Sequence, residues 1–399
     1  MSNRGKRRGN AKGGPRRGEI NKIYGCPLPL LIEPRPSLQW SSGILGLFGF
    51  ATNRITIPTV EGLLDPATRS VWVINPADAM LLWRRGFFGK GNLSRSEPSW
   101  LARQINQRKI KAAGGMTAEE VTAKRRAERR QFKLDRARAM AEAAAEAEKV
   151  FATSGVVLAE PSVVIPSAAT WKPVKPDVNQ TVNPPGPQPE EEEIPEEELQ
   201  DAEHLQLTLP EAFFLVWAMD CLKIIDPVAN NPLRLSDIWY AFQNAYNPEV
   251  LVQPSLLASS PTRFDNPFLI NYVVYHHYRS LGWVVKGGIK FCVDYLLYKR
   301  GPVFSHAEFA IVVCPVYEDP ADRESSPYNL QNVDPFTWSW LSTINRVNSQ
   351  VQKTLVLTYV TIPARSRLPQ DILLSPACLS HYSVREVIVR RFIPARMRD

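Results

Sequence analysis

Between Trp283 and Cys314 the chain alternates short apolar runs with glycine, proline and charged residues. Trp283–Val285, Cys292–Tyr298 and Ala307–Cys314 are rich in β-branched and aromatic residues, and each predicts a strand bounded by turn signals. Asp265–Ser280 predicts the helix leading into them, ending at Ser280–Gly282. Farther on, Phe336–Gln352 carries Trp340, Ile344, Val347 and Val351 at i, i+4, i+7 and i+11, which is the spacing of one helical face. The runs TLVLTYVTI (Thr354–Ile362) and SVREVIVRRFI (Ser383–Ile393) then read as strands.

The first half carries weaker patterns. Arg69–Ile74 predicts a strand, and Asn75–Arg85 a helix entered through Asn75-Pro76, a cap followed by proline in the first turn. The glycines of GFFGKGNLSRSEPSW (Gly86–Trp100) lack the spacing of a phosphate-binding loop, and read as a turn with Phe87 and Phe88 in the core. Thr117–Lys149 reads as one long helix opened by the capping box Thr117-x-x-Glu120, with too few apolar residues to bury a broad face. Thr208 and Glu211 form a second capping box with Pro210 in the first turn, heading a helix with Phe213, Val216, Trp217 and Met219. Ser236–Tyr246 predicts another helix.

Composition divides the chain further. Residues 152–207 are rich in proline and then in glutamate (PGPQPEEEEIPEEEL), which predicts a disordered linker. Net charge is +8, unevenly placed: residues 1–150 hold 28 Lys and Arg against 13 Asp and Glu, the remainder 20 against 27. Residues 1–18 hold seven cations and no acid, and predict a disordered tail that serves as a nuclear address, a nucleic-acid arm or a solubiliser. Lys124–Arg138 packs eight cations, among them Arg125, Arg126, Arg129 and Arg130. Such a helix is either a solvated face or a contact to an RNA backbone. The five cysteines show no C-x-x-C pair, so neither a zinc site nor a disulfide framework is expected. No apolar run is long enough to span a bilayer.

Candidate chemistry gathers where the strand pattern is strongest. Tyr298 ends the second strand and His306 begins the third, joined by the basic connection Lys299–Ser305 with Gly301-Pro302. A hairpin there puts both polar heads on one rim. Taken alone, the tyrosine reads more readily as an amphipathic strand-end residue, and the histidine as a structural hydrogen-bonder, than either does as a catalyst. Lys353, between the Phe336–Gln352 helix and the next strand, reads as a helix-terminal cation. Adjacent His276 and His277 point about 100° apart on a helix, and no acid or cysteine cluster joins them, so no metal site is expected.

The run YHHYRSLGWVVKGGIKFCVDYLLYKRGPVFSHAEFAIVV resembles the catalytic domain of the tRNA-splicing (tRNA-intron) endonucleases, and within that family the catalytic subunit assigned to the 5′ splice site. The matching elements include Tyr278-Arg279, Gly282, Lys286, Lys290-Phe291, Asp294, Leu297-Tyr298, Gly301-Pro302 and His306-Ala307. Cys292 stands where members usually carry glycine, a position read as packing beside the sheet. The expected organisation is a mixed α/β (α+β) chain. It comprises a basic tail (1–18), a small mixed N-terminal domain (19–116), a long basic helix (117–151), the linker (152–207), an α-rich subdomain (208–262) and an endonuclease domain with a mixed sheet (263–399).

The resemblance implies cleavage of pre-tRNA at the 5′ splice site by metal-independent attack of a ribose 2′-OH, leaving a 2′,3′-cyclic phosphate and a 5′-OH. It assigns Tyr298 as base, His306 as acid and Lys353 as the charge on the non-bridging oxygens, with no cofactor. It further implies that Arg346 and Phe392 clamp an intron base at the active site of a second catalytic subunit, in a complex that also holds two structural subunits. The acidic loop Val316–Asp334 is implied to dock into a partner. The expected location is the nucleus, or alternatively the cytosolic face of the mitochondrial outer membrane. The rival readings are a non-catalytic structural subunit of the same complex and an RNA-binding adaptor.

Overall fold

The computed structural model describes residues 17–25, 27–29, 31–34, 53–94, 96–112, 116, 118–154, 201–226, 230–246 and 263–390. Two compact units emerge, one made of Met1–Ser99 and Glu203–Asp399, the other of Trp100–Ala202.

The first unit begins with the short helix α1 (Arg17–Ile23) and the antiparallel pair β1 (Leu31–Pro34) and β2 (Asn53–Thr56). Then come β3 (Val60–Asp65), β4 (Ser70–Val73), helix α2 (Pro76–Gly86) and β5 (Lys90–Gly91). Asn75 caps α2 as its sequence predicts, its side chain accepting from the Ala77 N–H at 2.9 Å. The second unit supplies α3 (Trp100–Ala112) and α4 (Ala118–Ser154). The chain returns as β6 (Leu205–Thr208), helix α5 (Leu209–Phe213), a π-turn (Phe214–Ala218) and β7 (Leu222–Ile225). These strands close one five-stranded sheet in the order β5-β6-β4-β3-β7, with β3 and β7 parallel. Residues before 92 and after 204 therefore share one sheet, a pairing that periodicity gives no hint of. The Thr208–Glu211 capping box forms as predicted.

Helix α6 (Leu235–Asn244) and helix α7 (Pro267–Ser280) follow. A second five-stranded sheet is built from β8 (Val284–Gly287), β9 (Tyr295–Tyr298), β10 (Phe309–Tyr317), β11 (Thr354–Ile362) and β12 (Ser383–Val389), in that spatial order. Only β10 and β11 run parallel. A parallel pair needs a crossover, and helix α8 (Pro320–Glu324) and the longer α9 (Trp338–Gln350) lie within it. Alternate residues of the strands enter two cores. Leu297, Ile311, Val313, Val356 and Val360 face the large core that holds α7, whereas Leu296, Ala310, Val312, Leu355 and Leu357 face the smaller core under α9. Coverage on both faces explains why β10 and β11 read as nearly unbroken apolar runs.

The large core runs on into the first sheet through an aromatic cluster centred on Phe213, whose ring lies 4.9 Å from Tyr272 and 5.0 Å from Trp239. Two cations tie the same junction. Arg279 Nη2 donates to Gly86 O at 2.6 Å with its guanidinium over the Phe88 ring, and Lys286 Nζ donates to Gly89 O at 2.6 Å with Glu211 at 3.5 Å. Gly89 lies at φ +68°, where an added Cβ would press into Leu205 and Leu207.

In the second unit, α4 runs 37 residues, longer than its predicted span. It is not solvated all round: Ala139 and Ala143 are buried, and Phe132 is half-buried on the same stripe. Thr117, the expected cap, lies outside the described residues, as do the tail 1–16 and most of the linker.

One expectation about the second sheet's surroundings changes. Val347 and Val351 are 36% and 42% exposed, so the buried face of α9 runs through Trp340, Ile344 and Asn348 instead, with Asn348 wholly buried. In the acidic loop after β10, three carboxylates also have partners within the chain. Glu318 accepts from the Ala364 N–H and pairs with Arg367 at 3.2 Å, Asp322 accepts from the Arg365 N–H, and Asp334 pairs with Arg323.

Candidate active site

Glu308 organises the site through its backbone. Its N–H donates to Leu297 O at 3.0 Å, and its carbonyl accepts from the Thr354 N–H at 2.9 Å. The end of β9 and the starts of β10 and β11 are therefore locked side by side. Tyr298 follows Leu297, His306 lies two residues before Glu308, and Lys353 precedes Thr354. The backbone of all three therefore stands at the same end of the sheet.

Their surroundings differ. Tyr298 is half-buried, its ring packed between the core under α9 and a small cluster of Trp83, Phe87 and Val284. Burial pushes its phenol above the ordinary tyrosine range. A role as anionic base would need a nearby cation such as Lys353 to lower it. His306 is exposed at the rim, beside buried Ala307. The connection Lys299–Ser305 turns tightly, with Phe304 N–H donating to Gly301 O. Gly301 sits at φ +123° against the Phe87 ring, with no room for a side chain.

Lys353 is held by two residues to which the sequence pattern assigns no role. Its Nζ lies 4.5 Å over the Phe291 ring and 3.5 Å from Val351 O. Its backbone N–H donates to Asn348 O at 2.9 Å, and the Asn348 carboxamide in turn donates to Phe291 O at 3.3 Å and Ile344 O at 3.0 Å. The signal for Asn348 was present in the sequence: it completes the i, i+4, i+8 series from Trp340 and Ile344, but its polarity masks it. The turn carrying Phe291 ends at Cys292 in the left-handed conformation, φ 56°. That backbone, rather than packing beside the sheet, is what favours glycine at this position.

The other expected site residues are assigned roles away from this rim. Arg346 is exposed on α9, and Phe392 lies outside the described residues. Arg125, Arg126, Arg129 and Arg130 are exposed on α4, within the second unit. His276 and His277 have protein partners, Tyr272 and Glu386 respectively. Among the described residues no group of three or more His, Cys, Asp or Glu side chains could hold a metal ion, and no helix is long and apolar enough to cross a membrane.

Comparison with known proteins gives these positions a context. Residues 268–365 match the family described as tRNA intron endonuclease, catalytic C-terminal domain. Over 346 residues the chain is 34% identical to a probable tRNA-splicing endonuclease subunit sen2 of Schizosaccharomyces pombe, covering 79% of this chain and 81% of that one. It is 29% identical to the tRNA-splicing endonuclease subunit SEN2 of Saccharomyces cerevisiae, over 96% of this chain and all of that one. The mouse subunit Sen2 is 34% identical over 197 residues, 49% of this chain and 36% of its own.

Proposed function

Since the chain belongs to the tRNA-splicing endonuclease family and is an endoribonuclease, we propose that it makes the 5′ splice-site cut in pre-tRNA at the Tyr298–His306–Lys353 rim. The observation that carries this reading is the convergence of three strand ends on the Glu308 backbone. It supplies a hydroxyl, an imidazole and an ammonium from three separate elements at one edge.

In the proposed reaction the ribose 2′-oxygen bonds to phosphorus and the bond from phosphorus to the 5′-oxygen breaks. His306 delivers a proton to the leaving oxygen, a task suited to imidazole because it changes charge near neutral pH. Lys353, held over Phe291, stabilises the charge on the non-bridging oxygens. Tyr298 keeps its proton and orients the 2′-OH, whose own proton leaves to solvent at the exposed rim. Arg346 reaches an intron base at a partner's site, with Phe392 as its stacking mate. The chain works with a second catalytic and two structural subunits, in the nucleus. Its relatives are themselves described as subunits.

The test is a complex assembled with His306→Ala and given one intron-containing pre-tRNA. The 5′ cut should slow by ~10²–10⁴-fold, the usual contribution of a general acid, while the 3′ cut and RNA binding persist. Undiminished 5′ cleavage would remove His306 from the chemistry.

A further inference from the structure

Beside the aromatic cluster on which the Tyr298 ring packs lies a pocket of about 380 Å³, formed where the first sheet's helix α2 meets the loop after β9. That volume is at the lower end of the range for ligand sites, ~300–1,000 Å³. One wall is aromatic: Tyr24 stacks on Phe87 with centroids 5.3 Å apart, and Phe304 stands edge-on to Tyr24 at 6.0 Å. The other is cationic, with Arg84, Arg85, Lys299 and Arg300 all lining it. Among the described residues that line the pocket there is no carboxylate. Arg84 is paired at the outer edge with Glu97 at 3.4 Å. Arg300 lies 4.3 Å over the Phe304 ring and donates to Asn21 Oδ1 at 3.1 Å, so its guanidinium is held against an aromatic face of the wall.

Lys299 and Arg300 are the two residues after Tyr298, and the Tyr298 ring packs in the same small cluster as Tyr24, Phe87 and Phe304. A polyanion whose reacting phosphate lies at Tyr298 thus continues toward this pocket. Cations answer phosphates, and flat aromatic and guanidinium faces answer bases without reading them. An acidic peptide would use the first and leave the second idle.

We propose that the pocket holds a nucleotide flanking the scissile phosphate, with its phosphate against Arg85, Lys299 and Arg300 and its base against Tyr24 and Phe304. This rests on reading the Tyr298–His306–Lys353 rim as the cleavage site. It adds to that reading a substrate contact supplied by the N-terminal part of the chain.

The experiment compares assembled complexes carrying wild-type chain, Arg85→Gln/Lys299→Gln/Arg300→Gln, or the charge-preserving Arg85→Lys/Lys299→Arg/Arg300→Lys. Single-turnover cleavage is followed over pre-tRNA concentration at several salt concentrations. Losing three phosphate contacts should weaken apparent affinity by about tenfold or more and reduce the slope of log affinity on log salt by about two. The charge-preserving complex should keep both. Unchanged affinity and slope in the glutamine variant, with a wild-type 5′ cut that still depends on His306, overturns the pocket alone. A wild-type cut indifferent to His306 overturns the rim reading instead. Failed assembly with normal RNA affinity in whatever complex remains would mean that a protein partner occupies the pocket, and would equally sink the proposal.

Discussion

Cys292 shows how one backbone angle can matter near a reactive group. It closes the 3₁₀ turn Ile289–Phe291 at φ 56°, ψ 38°, and that turn places the Phe291 ring beneath the Lys353 ammonium. A side-chain-bearing residue in the left-handed region costs roughly 1–2 kcal/mol, and glycine escapes that cost while losing more chain entropy on folding. Cys292→Gly should therefore raise stability by up to about 1 kcal/mol. Cys292→Val should lower it, because a β-branched residue fits this region worst. Urea midpoints of the three proteins decide the matter, and a glycine variant less stable than wild type would show that the exposed thiol makes a compensating contact.

At the scale of elements, the second sheet was largely legible and the first was not. The helix predicted over Phe336–Gln352 spans Trp338–Gln350, the strand predicted over Thr354–Ile362 has those bounds, and α7 starts two residues after its predicted Asp265. These elements have strong local periodicity. Strands β6 and β7 have four residues each and pair with partners far away in the chain, so no local window contains the information that unites them with β3 and β4. The face of α9 was misread for a different reason: a buried asparagine interrupts the apolar series, and exposed Val347 and Val351 imitate it. Strand ends and a helix exit mark the places of Tyr298, His306 and Lys353, but their roles come from the family resemblance, whereas Phe291 and Asn348 hold Lys353 through contacts no spacing shows.

Helix α4 carries its own expectation at this scale. At 100° per residue, Arg125, Arg126, Arg129 and Arg130 cover an arc of about 140° that starts at the stripe of Phe132, Ala139 and Ala143 and extends to one side of it. A one-sided cationic face of this kind suits the backbone of RNA. Reversing the four arginines to glutamate should weaken pre-tRNA binding and lower its salt slope by about three, without moving the cut, since phosphate contacts position RNA but carry no sequence information. Filter binding across a salt series tests the first part and product sizing the second. An unchanged slope would make this a solvated face.

At the scale of the whole molecule, the two five-stranded sheets of the first unit share one core and a buried polar junction. Lys286 lies at its centre, its side chain 16% exposed, between Gly89 O, Glu211 and the Trp83 ring. Burial is the largest influence on it and lowers its pKa to about 8, Glu211 offsetting part of that fall. The unfolded chain, with lysine near its free value of ~10.4, holds this proton more tightly than the folded one. Between pH ~8 and ~10.4 the unfolded state thus binds more protons here, and the stability contributed by this position rises with pH; below ~8 it is level. Three buried thiols act oppositely above pH ~9, because burial raises Cys221 and Cys314 to about 11 and Cys378 to about 12. A bare pH profile would mix the two effects, so the informative quantity is a difference. Lys286→Met keeps the stem over Trp83 and all three thiols but removes the titrating amine. Between pH 7.5 and 9.5 the unfolding free energy of wild type minus that of this variant should climb by about 1–2 kcal/mol. A difference that stays level would show that the ammonium is better solvated than its contacts suggest, and that the junction between the sheets is held by Arg279 and the aromatic cluster alone.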